Sequence, residues 1–197
     1  ISATNLFFTD PPHYAGYAEM AKTLIAANPD RILAAELDVT KRESVRAMVE
    51  QVDARWGRLD ILVNNAGLYA VLKPRETPWE IPDDEFDRVM MVNVRGIYAC
   101  TSEALPLMER NNWGRIINIA SGLAFKGSPQ LMHYAASKGA VVNLTKSMAT
   151  ALGHKGITVN ALAPGGTASP TVIANRPPGA PQMSERTSRE RLIKRVE

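Results

Sequence analysis

The sequence predicts an α/β fold in which helices pack against a parallel sheet. Short apolar runs that end in small or polar residues alternate with longer stretches whose apolar residues recur at helical spacing. This alternation is typical of strand and helix units wound around one sheet. The chain has 197 residues, of which 45% are hydrophobic, enough for one well-buried domain and too few for two of ordinary size. We therefore interpret residues 1–197 as a single domain.

Five apolar runs are predicted to be strands. They are NLFFTD at 5–10, RILAAELDV at 31–39, LDILVNN at 59–65, GRIINIAS at 114–121 and ITVNALAPG at 157–165. In an open parallel sheet, ligands bind beyond the carboxyl ends of the strands. The first candidates for a functional site are therefore the residues at these ends, which are Asp10, Asp38, Asn64 to Gly67, Ser121, Pro164 and Gly165.

Three helical regions are predicted between the later strands. The first follows the second strand, and its apolar face consists of Val45, Met48, Val49, Val52 and Trp56. Thr40 and Glu43 have the spacing of a capping box at its start, and Gly57 is placed to end it. A second helical region begins at about residue 83, and a third covers about 133–152.

Composition and charge exclude several classes of function. The net charge of +3 is too small to predict binding to nucleic acid or to an anionic membrane. No apolar run reaches the ~18 to 20 residues of a membrane-spanning helix. The one cysteine, Cys100, lies in an apolar run and is predicted to be a buried thiol, which fits a reducing cytoplasm. The histidines lack the spacing of metal ligands, so no metal site is predicted.

The stretch HYAASK, residues 133–138, places Tyr134 and Lys138 one helical turn apart on the same face. A phenol with a pKa near ~10 is a poor base at neutral pH unless a cation stabilises the phenolate. Lys138 is placed to be that cation. The alternative is that the two residues only decorate a helix, because one such pair also arises by chance.

Four further motifs accompany YAASK. They are NNAG at 64–67, Asn93 in VNVRG, Ser121 in NIASG, and NALAPG at 160–165. In the order and spacing of these motifs, residues 38–165 resemble the classical short-chain dehydrogenase/reductase family. The resemblance implies a doubly wound, Rossmann-type parallel sheet that binds a dinucleotide and transfers a hydride. Isomerases and epimerases of the extended branch also use a Tyr and Lys pair, but NNAG and NALAPG favour the classical branch.

The resemblance implies catalytic roles for Asn93, Ser121, Tyr134 and Lys138. Tyr134 would be the general acid and base at the substrate oxygen, and Ser121 would hold and orient the same oxygen. Lys138 would lower the pKa of the phenol and bind the nicotinamide ribose, while Asn93 would anchor a water that links the lysine to solvent. Two structural alternatives remain open, namely Ser121 as the cap of a strand end and Asn93 as an amide satisfied by helix backbone.

Further residues are implied to bind the cofactor. Asp38, followed by Val39, would accept a hydrogen bond from the adenine amino group, although the same carboxylate could simply stabilise the turn before Thr40. Near the nicotinamide, Gly166 and Thr167 depart from the family's usual residues. The other cofactor-binding residues are expected to be Asn65, Ala66, Gly67, Tyr134, Lys138, Pro164, Gly165 and Ser169.

Asp10 determines which cofactor is expected. A carboxylate at the end of the family's second strand can bind both ribose hydroxyls and repel a 2′-phosphate. No Arg or Lys follows Asp10 closely. NAD is therefore expected rather than NADP. The alternative is that Asp10 caps a helix or turn that leads into PPHYAG.

The family's first strand, its glycine-rich turn and its last strand are not recognisable in the sequence. We therefore expect the chain to be incomplete at both ends. Without a glycine-rich turn at a helix N-terminus to hold the pyrophosphate, the 197 residues are expected to bind a dinucleotide poorly, whereas the intact gene product should bind it.

The function expected from these residues is that of an NAD(H)-dependent alcohol dehydrogenase or carbonyl reductase acting on a secondary alcohol or ketone. The alternative is a non-catalytic relative that uses the scaffold for binding or assembly. Five residues that follow the motifs favour an apolar or aromatic substrate, although they could equally belong to the core: Leu68, Tyr69, Leu123, Phe125 and Met132.

A closed homodimer or homotetramer is also expected, because two helical regions carry more apolar surface than one side of a sheet needs. The residues that supply this surface are Ile97, Tyr98, Leu105, Val142, Leu144 and Met148.

Overall fold

The structure is a computed structural model, and it describes residues 3–7, 22–69 and 71–166. All five described strands pair in parallel. Strand β1 (Ala3–Phe7) lies beside β2 (Ile32–Glu36), and β4 (Gly114–Ile119) lies between β3 (Ile61–Asn64) and β5 (Ile157–Leu162). The predicted α/β fold with a parallel sheet is confirmed. Asp10 and Ser169, which are candidates for cofactor binding, lie outside the described residues.

Six helices are described, and the three predicted helical regions are among them. Helix α1 covers residues 22–27, α2 Arg42–Trp56, α3 Asp83–Met90, α4 Gly96–Glu109, α5 Leu123–Lys126 and α6 Met132–Leu152. Helices α3 and α4 form one continuous path, because a π turn at Met91–Arg95 joins them and the Gly96 N–H donates to the Met91 carbonyl. Short 3₁₀ turns lie at Pro78–Glu80 and Gly153–Lys155.

The predicted start of α2 was wrong. The helix begins at Arg42, and its N-cap residue Lys41 makes no side-chain capping bond. The Thr40 hydroxyl donates instead to Asp38 Oδ1 at 2.6 Å, and the Thr40 N–H donates to the same oxygen at 2.9 Å. The helix N-terminus has no side-chain capping bond, so Thr40 and Glu43 do not form the predicted capping box. The predicted end is correct, since Gly57 terminates the helix in the left-handed conformation with φ of 65°.

The hydrophobic core lies between the strands and helices α2, α4 and α6. Helix α2 packs against β2 and α4, and α6 packs against β4 and β5. Cys100 of α4 is buried and unoxidised, and burial raises the pKa of its thiol to about 12. Within the described residues, no cluster of side chains could hold a metal ion, and no helix is long and apolar enough to cross a membrane.

A buried polar network crosses this core and joins the ends of two strands to α6. Asn64 Nδ2, at the end of β3, donates to Asn118 Oδ1 of β4 at 2.8 Å and to the Thr101 hydroxyl at 3.3 Å. Asn118 Nδ2 donates in turn to the Thr145 hydroxyl of α6 at 3.0 Å. Each bond satisfies a polar atom that would be costly to bury alone. The network therefore holds the start of the NNAG motif in register with β4 and α6.

The apolar surface expected to meet a second copy is smaller than predicted. Ile97 and Met148 belong to the buried core. Leu105, Val142 and Leu144 pack partly against that core, whereas Tyr98 is more than half exposed. The helical spacing identified apolar residues correctly but could not separate those that face the sheet from those that face outward.

Candidate active site

Tyr134 and Lys138 lie on one face of α6, as the spacing predicts, and both are nearly buried. Their exposed fractions are 8% and 4%, and Lys138 Nζ lies 5.7 Å from the centroid of the Tyr134 ring. Lys138 Nζ donates a hydrogen bond to the Ile119 carbonyl at 2.6 Å. Because Ile119 ends β4, this bond anchors the lysine at the carboxyl end of the central described strand.

Burial lowers the pKa of Lys138 to about 8. The ammonium loses hydration on leaving water, which disfavours its charged form. At pH 7 most of the lysine is still charged, but it is much closer to losing its proton than an exposed lysine would be.

The pKa of Tyr134 is raised, which is opposite to the effect expected from the lysine. Burial is the main cause, and the nearby Tyr69 acts in the same direction, while a hydrogen bond with the Ser121 side chain acts against them. The lysine does not offset burial: its ammonium donates to the Ile119 carbonyl and lies 5.7 Å from the centroid of the phenol ring. In this state Tyr134 is a protonated donor at neutral pH.

Ser121 follows β4 directly and faces the phenol. Its hydroxyl bonds with Tyr134 and also accepts from the Leu123 N–H at 3.2 Å. The serine therefore bonds to the backbone that follows the end of β4, as the alternative of a strand-end cap proposed, and lies next to Tyr134 as the family resemblance implies. The two interpretations are compatible, because a hydroxyl can accept and donate at once.

Asn93 lies in the π turn, fully buried, and its amide bonds outside its own helix. Its Oδ1 accepts from the Leu68 N–H at 2.7 Å, and its Nδ2 donates to the Ser137 hydroxyl at 3.0 Å. The alternative in which helix backbone satisfies this amide is therefore wrong. Sequence reasoning missed Ser137, although it lies one turn from Tyr134, whose carbonyl accepts from the Ser137 hydroxyl at 2.7 Å.

The NNAG loop lies against the lysine. A methyl group added at Gly67 would lie 3.3 Å from Asn93 Oδ1 and 3.5 Å from Lys138 Nζ. Glycine thus leaves a space beside the ammonium that a side chain would fill. Asn65 and Ala66 precede this point, and the Asn65 N–H donates to the Val63 carbonyl at 3.1 Å, which turns the chain immediately after β3.

Asp38 and Val39 follow β2, where cofactor residues were expected. Partial burial pulls the pKa of Asp38 upward, but hydrogen bonds from Thr40 and Lys41 outweigh it and the pKa is lowered overall. The carboxylate is therefore a stable anion that stabilises its own turn, as the structural alternative proposed. Val39 is buried against the first residue of α4, since a methyl at Gly96 would lie 2.7 Å from its Cγ2 atom.

Pro164 and Gly165 lie next to Ser121. The Ala120 N–H donates to the Leu162 carbonyl at 2.8 Å, and the Gly122 N–H donates to the Pro164 carbonyl at 2.9 Å. The chain beyond β5 therefore runs beside the chain beyond β4. Thr167 lies outside the described residues.

The residues expected beside the substrate divide into two groups. Leu68 belongs to the buried core. Tyr69 is 50% exposed and its ring centroid lies 5.0 Å from that of Tyr134, while Phe125 is 71% exposed. Leu123 and Met132 are partly exposed. Of these five residues the two aromatic ones are the most exposed, and the Tyr69 ring packs beside the phenol ring.

Comparison with known proteins identifies the family of this chain and several relatives. The profile of the short chain dehydrogenase family matches residues 13–178. The chain is 39% identical over 134 residues to 2-dehydro-3-deoxy-L-rhamnonate dehydrogenase (NAD(+)) of Sphingomonas sp. (strain SKA58), a match that covers 68% of this chain and 53% of the relative. It is 37% identical over 159 residues to the 3-oxoacyl-[acyl-carrier-protein] reductase FabG of Staphylococcus aureus (strain Mu50 / ATCC 700699), covering 78% of this chain and 62% of the relative.

A solved structure has the same fold. ElxO with NADP bound superposes with a TM-score of 0.75 at 31% sequence identity, over 86% of this chain and 66% of that one. The chain thus spans less than two thirds of the length of the two curated relatives.

Proposed function

Because the chain belongs to the short-chain dehydrogenase family, we propose that it carries the catalytic residues of an oxidoreductase that transfers a hydride between a nicotinamide dinucleotide and a secondary alcohol or ketone. One observation carries the proposal. Tyr134 is a buried, protonated phenol that shares a hydrogen bond with Ser121, and Lys138 lies one turn away. A structural role alone does not explain why a phenol, a hydroxyl and an ammonium meet at the end of a strand.

Nicotinamide, when bound, supplies or accepts the hydride. As a carbonyl carbon gains the hydride, its oxygen becomes negative, and Tyr134 donates its proton to that oxygen. The Ser121 hydroxyl donates a hydrogen bond to the same atom and orients it. The raised pKa of Tyr134 keeps the phenol protonated at neutral pH, which suits the direction of carbonyl reduction.

The lysine and the NNAG loop fit a ribose of the cofactor. Lys138 Nζ lies beside the space that Gly67 leaves open, and an ammonium has three donors, of which the Ile119 carbonyl takes one. A ribose hydroxyl in that space would accept from the remaining donors. Asn93 holds the loop in place through Leu68, and it is proposed to support the proton path from the lysine.

NAD is the proposed cofactor on the strength of Asp10. The relatives do not decide the matter, since one is named as an NAD(+) enzyme and another was solved with NADP. Isothermal titration of the intact gene product with NAD and with NADP is the test. Preference for NADP would contradict the role proposed for Asp10.

The substrate is proposed to carry an apolar or aromatic group next to its carbonyl. Tyr69 supports this, because its exposed ring lies beside that of Tyr134, and Phe125 is a second exposed ring among the residues that follow the motifs. A panel of apolar, aromatic and acidic ketones and alcohols, assayed with NAD(H) and NADP(H), tests the proposal. Turnover of acidic substrates only would contradict the substrate class, and cofactor binding without turnover of any would favour a non-catalytic scaffold.

A further inference from the structure

Three polar side chains from separate segments meet beside the start of α6, and hydride transfer uses none of them. Arg75 precedes α3, Glu85 lies in the first turn of α3, and His133 directly precedes Tyr134. Arg75 Nη2 donates to Glu85 Oε2 at 3.1 Å, and the other carboxylate oxygen, Oε1, lies 3.1 Å from His133 Nε2. Glu85 therefore bridges the two basic side chains.

Burying these polar side chains costs free energy of folding. His133 is fully buried, and neither of its ring nitrogens has a well-aligned hydrogen bond with any described residue. Glu85 Oε1 and Arg75 Nε are buried in the same way. Most buried polar atoms in proteins are paired, so unaligned ones need an explanation. We find that explanation in the two parts of the fold that the cluster connects.

The cluster ties the connection between β3 and α3 to the first turn of α6. Within this connection, which we call segment 71–82, the Arg75 N–H donates to the Gln130 carbonyl at 3.1 Å, just before α6. The Arg75 side chain then reaches Glu85, and Glu85 reaches His133. Tyr134 is the next residue, so whatever fixes the first turn of α6 also fixes the phenol.

We propose that Arg75, Glu85 and His133 are positioning residues that hold the first turn of α6 against segment 71–82 and thereby keep the Tyr134 hydroxyl aligned with Ser121. The proposal rests on the proposed function, because alignment matters only if Tyr134 transfers a proton. Tyr134 and Lys138 are also implied to bind the cofactor, but the other implied residues that the structure describes lie after β2, β3 and β5. Loosening the cluster should therefore lower kcat by a larger factor than it weakens the affinity for the dinucleotide.

The decisive variant is Glu85→Gln in the intact gene product, which keeps the shape of the side chain and removes its charge. We expect kcat to fall about tenfold and the Kd for the dinucleotide to change by a smaller factor, because a misplacement of about 1 Å can cost ~10² in rate and a smaller one costs less. Arg75→Met should have a similar effect, and Arg75→Lys should restore most of the rate since it keeps a cation for Glu85. The double variant Arg75→Met and Glu85→Gln should be no worse than Glu85→Gln alone.

Glu103→Gln is the matched control. Glu103 is also a partly buried glutamate between two basic side chains, with Arg42 at 2.5 Å and Arg46 at 3.3 Å, but it joins α2 to α4 away from the phenol. This variant should retain the wild-type kcat. An equal loss of kcat in both variants would overturn the proposal.

Hydrogen exchange gives a reading that does not depend on turnover. In Glu85→Gln, amides of segment 71–82 and of the first turn of α6 should exchange faster than in the wild type and in Glu103→Gln. Unchanged exchange, or faster exchange with unchanged kcat, would overturn the proposal.

Absence of turnover in the wild type would instead refute the proposed function, and exchange would still decide whether the cluster holds α6. Should Glu85→Gln fail to fold, Arg75→Met and Arg75→Lys provide the same comparison.

Discussion

At the scale of single residues, Tyr134 carries the sharpest prediction. Tyr134→Phe removes the proton donor and one oxygen atom while keeping the ring that packs beside Tyr69. We expect kcat to fall at least ~10²-fold, the usual contribution of general acid–base catalysis, with cofactor affinity and folded structure retained. Steady-state kinetics together with dinucleotide titration measure this. Retention of more than about a tenth of the wild-type kcat would refute the role of Tyr134.

The pKa of Lys138 leads to a prediction about how the free energy of unfolding depends on pH. Its pKa is about 8 in the folded protein and 10.5 in an ordinary lysine, so between these values the unfolded chain binds more protons. The free energy of unfolding of the wild type, relative to Lys138→Met, should therefore rise as the pH increases from about 8 to about 10.5, by at most about 3 kcal/mol. Below that window the charged, buried lysine lowers stability by the full amount.

Urea unfolding of the wild type and Lys138→Met at pH 7 and near pH 10, without cofactor, measures this difference. Parallel stability curves for the two proteins would show that the lysine is not desolvated as described. Lys138→Met should also lose activity, so the residue that limits stability at neutral pH would be one that catalysis requires.

The candidate catalytic residues could be predicted from the sequence because each motif is local and its order is informative. Their partners could not. Asn93 bonds to Leu68 and Ser137, contacts that depend on how a π turn meets a distant loop. The direction of the Tyr134 pKa shift could not be predicted from the sequence either, because it depends on burial and on the positions of Ser121 and Tyr69 around the phenol.

At the scale of secondary structure, Gly156 should be indispensable to the turn before β5. Its φ is +72°, and a methyl group there would collide with the carbonyl oxygen of Asn112. Gly156→Ala should therefore lower the free energy of unfolding by about 2 kcal/mol or more, since the left-handed conformation alone costs an L-residue about 1–2 kcal/mol.

Gly153→Ala is the control for that variant. Gly153 lies in the same 3₁₀ turn region, its φ is −57°, and an added methyl meets nothing within 4 Å. Its stability should equal or exceed that of the wild type. Thermal or chemical unfolding of both variants decides the prediction, and equal losses would contradict it.

The strands and the long helices could be predicted from apolar spacing, because burial on a sheet or on one helical face imposes a period on the sequence. The start of α2 could not be predicted, since the Thr40 side chain can form a hydrogen bond either with the helix N-terminus or with Asp38. In the structure it donates to Asp38. The π turn at Met91–Arg95 also gave no signal, because the apolar run around Asn93 reads equally well as an α-helix.

At the scale of the whole molecule, association with a second copy remains a prediction. Tyr98 of α4 is exposed, and three further apolar residues are only partly covered: Leu105, Val142 and Leu144. We expect the intact gene product to be a dimer or tetramer in light scattering at micromolar concentration. The double substitution Tyr98→Glu and Leu144→Glu should shift it toward the monomer, because two charges would have to be buried. A monomeric wild type would contradict the expectation.

The π turn also limits how this protein can change in length. Helix α3 packs against α6, whereas α4 packs against α2, β3 and β4, so the two halves of one helical path serve different neighbours. The wider turn holds one residue more than an α turn would, and each residue of a helix corresponds to about 100° of rotation. Deleting Val94 would therefore close the wide turn to an ordinary α turn and leave both halves facing their neighbours, but it would remove the bulge from which the Asn93 amide reaches Leu68 and Ser137. Residues along this helix can be exchanged one at a time, whereas the loss of one residue here would disturb the contacts of Asn93.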